Sequence, residues 1–393
     1  NKLYILKMKF SKNKIKPIIR NYDVIFKKKD LKSLYEFKKF PVFMGVTNKE
    51  ASTDKFFRMR WQISRGSGML QLNPLLPLKV LYPETHNSGC VGKLWEEHHL
   101  EFAKFIYKYK PQNVLEIGAC HGILFQKYLR FNKRVKWTII EPNPKIDKSI
   151  KIKIIKKFFD EKTIIPSSID VFTHSHVIEH IYDLHKFMKD LDKKISSNKL
   201  MIFSIPHLEI MLKKKYTNCV NFEHTIFLTE PYLKYFLDLY GFEVLEKKFF
   251  KKDHSIFYAC KKLTKKKKTP LKSRFSQYKK MYNDYILYHL KLIKKLNRLI
   301  TNKKTNNPVF LFGAHVFSQY LLSFGLKEKK IMFVLDNDEQ KQNKRLYGTN
   351  LNVRSPKILS EYEKPIVILK VGVYKDEIKK DILENINPKT IFI

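Results

Sequence analysis

The sequence predicts an α/β protein whose centre is a doubly wound, Rossmann-like sheet, with a small domain before it and a second Rossmann-like unit after it. Three observations carry that expectation. Short, β-rich apolar runs alternate with helical patterns between Pro111 and Lys262, the order that a parallel sheet with crossover helices requires. A glycine turn, Gly118-Ala119-Cys120-His121-Gly122, follows the first of those runs. The strand-and-turn pattern then restarts near Asn307, after a lysine-rich break. At 393 residues the chain is too long for one ordinary core.

Taken in order, residues 1–110 form the first segment. Its apolar stretches, Phe40-Pro41-Val42-Phe43-Met44-Gly45 and Met69-Leu70-Gln71-Leu72, are punctuated by Pro and Gly and read as short strands and loops. The segment closes on 93–109, where Leu94, Trp95, His98, Phe102 and Ile106 recur at helical spacing. In the second segment, 111–262, the runs 113–118, 137–141, 169–173 and 200–205 have the composition of strands buried on both faces. Helical patterns fill 182–195 and 231–240. The runs 243–250 and 255–260 flank a short polar turn and suit an antiparallel edge pair.

Residues 263–306 read as a linker and a long helix. The stretch 261–274 is almost wholly polar, and the lysine run Lys265–Lys268 reads as solvated charge. Over 277–300, Tyr and Leu recur at helical spacing, which predicts an amphipathic helix packed between domains. The last segment, 307–393, opens on the strand and turn Pro308–Ala314. Ile331–Asp336 follows as a strand ending in an acid, and 365–371 and 390–393 as further strands.

Composition narrows the function classes. The formal charge is +41, from 78 Lys and Arg against 37 Asp and Glu. The lysines are spread along the chain, the pattern of solvated faces, so the sequence is read as binding no nucleic acid. A basic surface also suits an anionic small molecule. No apolar run reaches the roughly 20 residues that span a bilayer, and the basic start lacks an apolar signal core. Four scattered cysteines without a CxxC indicate neither a disulfide framework nor a zinc ribbon. The cytoplasm is the expected compartment.

The chemistry concentrates at the first glycine turn. Glu116-x-Gly118-x-x-x-Gly122 lies between a predicted strand and a predicted helix, and the next strand ends at Glu141. Residues without a Cβ let the backbone turn sharply and a ligand approach, and an acid at the following strand end can accept ribose hydroxyls. Cys120 stands where a dinucleotide fingerprint needs its second glycine, which argues against a pyrophosphate on the helix N-terminus. An adenosine with a sulfonium tail needs no phosphate cradle. The expected cofactor is S-adenosylmethionine, held at Glu116, Gly118, Ala119, Gly122 and Glu141.

Several separated motifs then resemble the three-domain sugar C-methyltransferases. They are Glu116-Ile117-Gly118-x-x-x-Gly122, His176-Val177-Ile178-Glu179-His180-Ile181-Tyr182-Asp183, Ile205-Pro206-His207-Leu208, Asn221-Phe222-Glu223-His224, and Phe312-Gly313-Ala314 with Val334-Leu335-Asp336-Asn337-Asp338. The resemblance implies a catalytic group of His224, Glu223 and His180. His224 takes a proton from the sugar carbon beside a ketone, and the carbanion attacks the sulfonium methyl. It also implies that His176 joins the cofactor site, and that Tyr82, His86, Ser88 and His207 touch a nucleotide-linked sugar or glycan precursor. The family's N-terminal zinc module has no paired cysteines here, so that domain is expected to cover the substrate without a metal. The last domain is expected to help close over the nucleotide sugar.

Eleven of the thirteen histidines lie between His86 and His254. A metal at His174-x-His176 with His180 is the rival reading, since a strand puts the first two on one face. No known ligand spacing is reproduced, so no metal is assigned. His121 is read as a helix cap and His254 as a structural hairpin residue. Of His98 and His99, one is expected to pack and the other to be exposed. Two further readings stay open: an O- or N-methyltransferase on a related sugar, and a non-enzymatic basic scaffold for polyanions.

Overall fold

The structure, a computed structural model, describes residues 15–82, 92–147, 149–302 and 307–393. The expected substrate residues His86 and Ser88 lie outside the described residues.

In the N-terminal segment, strands β1 (Leu31–Pro41), β2 (Val46–Thr47), β3 (Phe56–Ser64) and β4 (Leu70–Leu72) precede the short helix α1 (Leu78–Leu81). β1, β3 and β4 form an antiparallel sheet in that order. β1 is longer than the apolar run suggested because Lys32, Lys38 and Lys39 occupy its solvent face while Phe37 and Phe40 are buried.

Next come helix α2 (Lys93–Tyr107), strand β5 (Asn113–Ile117), helix α3 (Ile123–Tyr128), and strands β6 (Lys136–Ile140), β7 (Lys153–Ile155) and β8 (Val171–Ser175). Helix α4 (Leu184–Lys194), strand β9 (Leu200–Pro206), helices α5 (Leu208–Lys213) and α6 (Glu230–Leu239), and strands β10 (Phe242–Phe250) and β11 (Ser255–Lys262) complete the region. Its sheet has seven strands in the order β10-β11-β9-β8-β5-β6-β7. β11 runs antiparallel to both neighbours, as the predicted edge pair required, and the other pairings are parallel. From β5 the chain winds outward to β6 and β7 on one side, then to β8 and β9 on the other. The order therefore reverses between β5 and β8, and the crevice at their carboxyl ends is where open α/β sheets take ligands.

The rest of the chain consists of helix α7 (Phe275–Ile300), strand β12 (Val309–Phe312), helix α8 (Val316–Ser323), and strands β13 (Phe333–Leu335), β14 (Arg345–Leu346), β15 (Val353–Arg354) and β16 (Ile366–Ile368). Helix α9 (Lys375–Asn385) and strand β17 (Ile391–Phe392) end it. Its five-stranded sheet, β15-β13-β12-β16-β17, is parallel throughout. The order again reverses beside the first strand, between β12 and β16.

Three contacts lock these parts together. α7 buries Tyr278, Tyr282, Tyr285, His289, Ile293, Leu296 and Ile300, a helical stripe. Tyr282 meets Trp61 of β3, and His289 stacks on Phe324 beyond α8. β2 pairs with β14, and the buried Asp54 carboxylate holds Arg345 through two bonds of 2.6 and 2.9 Å. Arg20, only 2% exposed, donates to the carbonyls of Tyr182, Leu72 and Thr225. No helix among the described residues is long and apolar enough to cross a membrane.

Candidate active site

The turn after β5 is wound by three left-handed residues, Gly118 (φ 78°), Cys120 (φ 43°) and Gly122 (φ 65°). Gly118 N–H donates to Ile140 O at 2.9 Å, which holds the turn against the end of β6. A Cβ on Gly118 would lie 2.6 Å from Val177 Cγ2, so glycine is what lets the β5 and β8 turns meet. The Glu141 carboxylate ties this turn to the next one. It accepts the N–H of Cys120 at 3.3 Å and of Asn143 at 2.9 Å. Gly122 caps α3 by its backbone alone, so His121 is not the cap that the sequence suggested; its side chain lines the cavity instead.

The turn opens on a cavity of about 670 Å³, within the roughly 300–1,000 Å³ usual for small-molecule sites. Glu116, Gly118, Ala119, Cys120 and His121 line one end. Glu116 is 3% exposed, accepts the Trp137 indole N–H at 2.9 Å, and is pushed up to about 8 by burial. A buried carboxyl at the mouth of a glycine turn fits a cationic nucleoside better than a pyrophosphate. Glu141 and Gly122 shape this end without lining it; Glu141 is largely engaged with backbone N–H groups.

The expected catalytic residues converge in the middle of the cavity. Asn221 fixes the loop that carries them. Its Oδ1 accepts the N–H of Glu223 at 2.7 Å and of His224 at 2.9 Å, and its Nδ2 donates to Asn218 O at 3.0 Å. The residues just beyond continue the N-terminal sheet, with Leu72 N–H on Thr225 O at 3.0 Å and Phe227 N–H on Leu70 O at 2.8 Å. Thr225 also binds the β8 loop, from N–H to Glu179 O at 3.1 Å and from Oγ1 to Ile181 O at 2.9 Å. The loops bearing His180 and His224 are thus stitched together, and the two rings lie 5.3 Å apart.

Electrostatics assign their states. His224 Nδ1 faces Cys219 O at 3.1 Å, and a carbonyl can only accept, so the proton sits on Nδ1 and Nε2 carries the lone pair. Burial lowers His224 to about 4, so it is neutral at pH 7. Tyr82 meets His180 Nδ1 at 3.2 Å, and burial holds its phenol well above its usual range. Between the histidines stands Glu179, 1% exposed, with neither oxygen hydrogen-bonded and its pKa pushed up to about 8 by burial. Its Oε1 is 3.6 Å from His180 Nε2 and 3.7 Å from His176 Nδ1.

Other expected residues part company. His207 sits outside the cavity, with Nδ1 on Lys252 O at 3.2 Å and its ring against Phe249. Pro206 ends β9, and the chain turns directly into α5, carrying the ring away. His174 and His176 do not act as a pair either. His176 adopts φ 53° immediately after β8, which breaks the strand alternation. Its ring packs on Trp95, while His174 stacks on Phe203 in the sheet core. His98 is fully buried and His99 half-buried. His254 does more than shape a hairpin: it lines the cavity, 4.8 Å from the Trp95 ring.

Glu179, Asn221 and Trp95 belong to this site although no role was read for them from sequence. For the first two the signal was their place inside motifs already noted. For Trp95 there was only helical spacing. The far wall comes from the last unit, through Gly313, His315, Asp336, Lys341, Lys344 and Tyr374. Trp95 lines the same cavity from the other side. The far wall repeats the device of the first turn. Gly313 has φ 101°, and its N–H donates to Leu335 O at 2.8 Å. Asp336 accepts the N–H of Ala314 at 2.8 Å and of Asp338 at 3.0 Å.

Comparison with known proteins follows this division. Residues 92–247 match the family model of a methyltransferase domain. Residues 257–393 match that of a C-methyltransferase C-terminal domain. A search among curated proteins finds no match. Among solved structures the chain is similar to an O-methyltransferase family protein from Burkholderia thailandensis, at 10% identity and TM-score 0.36, covering 44% of this chain and 57% of that one. It is also similar to the N-methyltransferase NodS from Bradyrhizobium japonicum, solved with S-adenosylhomocysteine, at 11% identity and TM-score 0.34, covering 44% of this chain and 89% of that one. This chain therefore spans little more than half the length of the first. The chain thus carries a methyltransferase domain built on the β5 turn and a C-methyltransferase C-terminal domain facing it.

Proposed function

We propose that the enzyme transfers a methyl group to a carbon of a nucleotide-linked keto sugar, with His224 as general base. The observation that carries this reading is the convergence of His224, His180 and Glu223 on the cavity that the Gly118 turn opens onto, with Glu179 and Tyr82 packed against the histidines. The match to a C-methyltransferase C-terminal domain favours carbon over oxygen or nitrogen as the acceptor.

When bound, the cofactor supplies an electrophilic methyl group. Glu116, Gly118 and Ala119 hold its nucleoside end, with Glu141 and Gly122 shaping the turn, and His176 flanks it. His224 Nε2 takes the proton from the carbon beside the ketone. The imidazolium so formed lies within 4.8 Å of Glu179 and favours its ionisation, which offsets the cost of charging a buried ring. Tyr82 and His180 stand where a proton donor can stabilise the enolate oxygen as charge develops. Glu223 orients the sugar. Lys344 on the opposite wall suits the diphosphate of a linked nucleotide, while Lys341 beside it is ion-paired with Asp336 at 3.2 Å, and the N-terminal segment serves as the substrate cover.

The test is turnover with S-adenosylmethionine and a panel of nucleotide-linked keto sugars, read by NMR of the product. A new C–CH3 signal is expected from the wild type. His224→Ala should lose about 10²–10⁴-fold in kcat while keeping its affinity for S-adenosylhomocysteine. An O–CH3 product, or full activity in His224→Ala, refutes the proposal.

A further inference from the structure

We infer that His98, His176 and His254 form a binding site for one transition-metal cation of the zinc class, set in the wall of the cavity beside Trp95. The three come from separate parts of the chain. His98 lies on α2, His176 follows β8, and His254 precedes β11. One ring nitrogen of each lies within 4.8 Å of the others. A tetrahedral zinc site with bonds of about 2.0–2.1 Å needs its nitrogens about 3.4 Å apart, so closure requires the rings to draw together.

Four features point to a ligand rather than to a packed core. His98 Nδ1 is buried with no hydrogen-bond partner, on a residue with no exposed surface. Ser255 Oγ bridges His176 Nε2 at 2.8 Å and His254 Nδ1 at 2.6 Å, so the two rings face one point, which the hydroxyl fills here and a cation would take once it turns aside. The left-handed backbone of His176, unusual for a residue with a Cβ, is what turns its ring there. Glu179 stands behind His176 on the Nδ1 side, its carboxyl buried and without a hydrogen bond. A carboxylate behind a histidine is the usual outer partner of a metal-bound imidazole, and it also supplies the charge that an all-imidazole site lacks.

The donor set selects the cation. Three neutral imidazoles suit Zn²⁺, Cu²⁺, Ni²⁺ or Co²⁺ and offer nothing to Mg²⁺ or Ca²⁺, which want oxygen. His176, His254 and Trp95 line the cavity, so a fourth position faces it. A metal there pins α2 to the β8 and β11 ends and sets the position of Trp95, which packs on the His176 and His254 rings.

The experiment uses the full chain stripped with a chelator and titrated with Co²⁺, then Zn²⁺. We expect one equivalent of Co²⁺ with the visible ligand-field bands of a tetrahedral site, displaced by Zn²⁺, and a higher melting temperature. His254→Gln and His98→Asn should each lose the equivalent and its bands, with circular dichroism and S-adenosylhomocysteine binding reporting the fold separately. Substoichiometric uptake by the wild type overturns the inference without any variant. So does a His254→Gln protein that binds Co²⁺ as the wild type does, or uptake lost only in His224→Ala, which places the metal at Glu179, His180 and His224 instead. Cofactor binding by the stripped wild type tests the methyltransferase reading independently.

Discussion

Replacing Gly118 by Ala tests whether the β5 turn is held as described. Two costs can be worked out. Gly118 has φ 78°, and a residue with a Cβ costs about 1–2 kcal/mol there. The new Cβ would also lie 2.6 Å from Val177 Cγ2, and Val177 is β-branched and stiff at χ1. Overpacking of this kind costs about 1–3 kcal/mol. Gly118→Ala should therefore lose about 2–5 kcal/mol in urea unfolding, from the sum of those two ranges. Cofactor affinity should fall by about tenfold or more, since each 1.4 kcal/mol of turn displacement is a factor of ten. Val177→Ala in the same chain removes the contact but leaves the backbone cost. The double-mutant cycle should return a favourable coupling of about 1–3 kcal/mol. If Gly118→Ala unfolds and binds S-adenosylhomocysteine like the wild type, the turn geometry is wrong. If the cycle shows no coupling, the contact between the β5 and β8 turns is wrong.

Two further outcomes follow from the site. Burial pushes Glu116 up to about 8, above its unfolded value, so its stabilising contribution is complete below about pH 4.5 and is lost as pH rises through 8. Between pH 6 and 8 the wild type should lose about 2–3 kcal/mol more than Glu116→Gln, at about 1.4 kcal/mol per pH unit; parallel urea titrations that superimpose would remove this assignment. Asn221→Ala deletes two acceptor bonds and one donor bond around Glu223 and His224. It should cost about 2–4 kcal/mol, from about 1 kcal/mol per bond, and lower kcat with cofactor affinity unchanged. Asn221→Asp, which keeps both acceptor bonds, should recover much of the loss, and a shift in cofactor affinity instead would deny Asn221 its positioning role.

The cavity is a joint construction. One wall is the β5 turn, the other the β12 turn, and each uses a positive-φ glycine and an acid that accepts two backbone N–H groups. The floor between them is set by the N-terminal sheet, which continues through Leu72 and Leu70 onto Thr225 and Phe227. The loop bearing His224 is thus a strand extension as much as a loop, and its stability depends on a segment far earlier in the chain.

Local chemistry made most of the architecture legible. Alternating apolar runs, the glycines at 118 and 313, and the acids at 141 and 336 each act through near neighbours, so periodicity and turn residues were enough to read both Rossmann-like units. Elements whose pattern is diluted were missed: β7 is three residues long and opens on Lys153, and β1 carries lysines along its solvent face. Long-range placement was not legible. A residue's neighbours across the fold depend on how separate sheets pack, and no spacing encodes that. Only tertiary structure turned His176 away from His174, carried His207 out of the cavity and brought His254 into it. It alone left Glu179 buried between two histidines, and it gathered His98, His176 and His254, residues 78 and 156 positions apart along the chain from the first, around one point. Burial is the physical reason: it sets the protonation of these groups, and it is decided by everything packed around them.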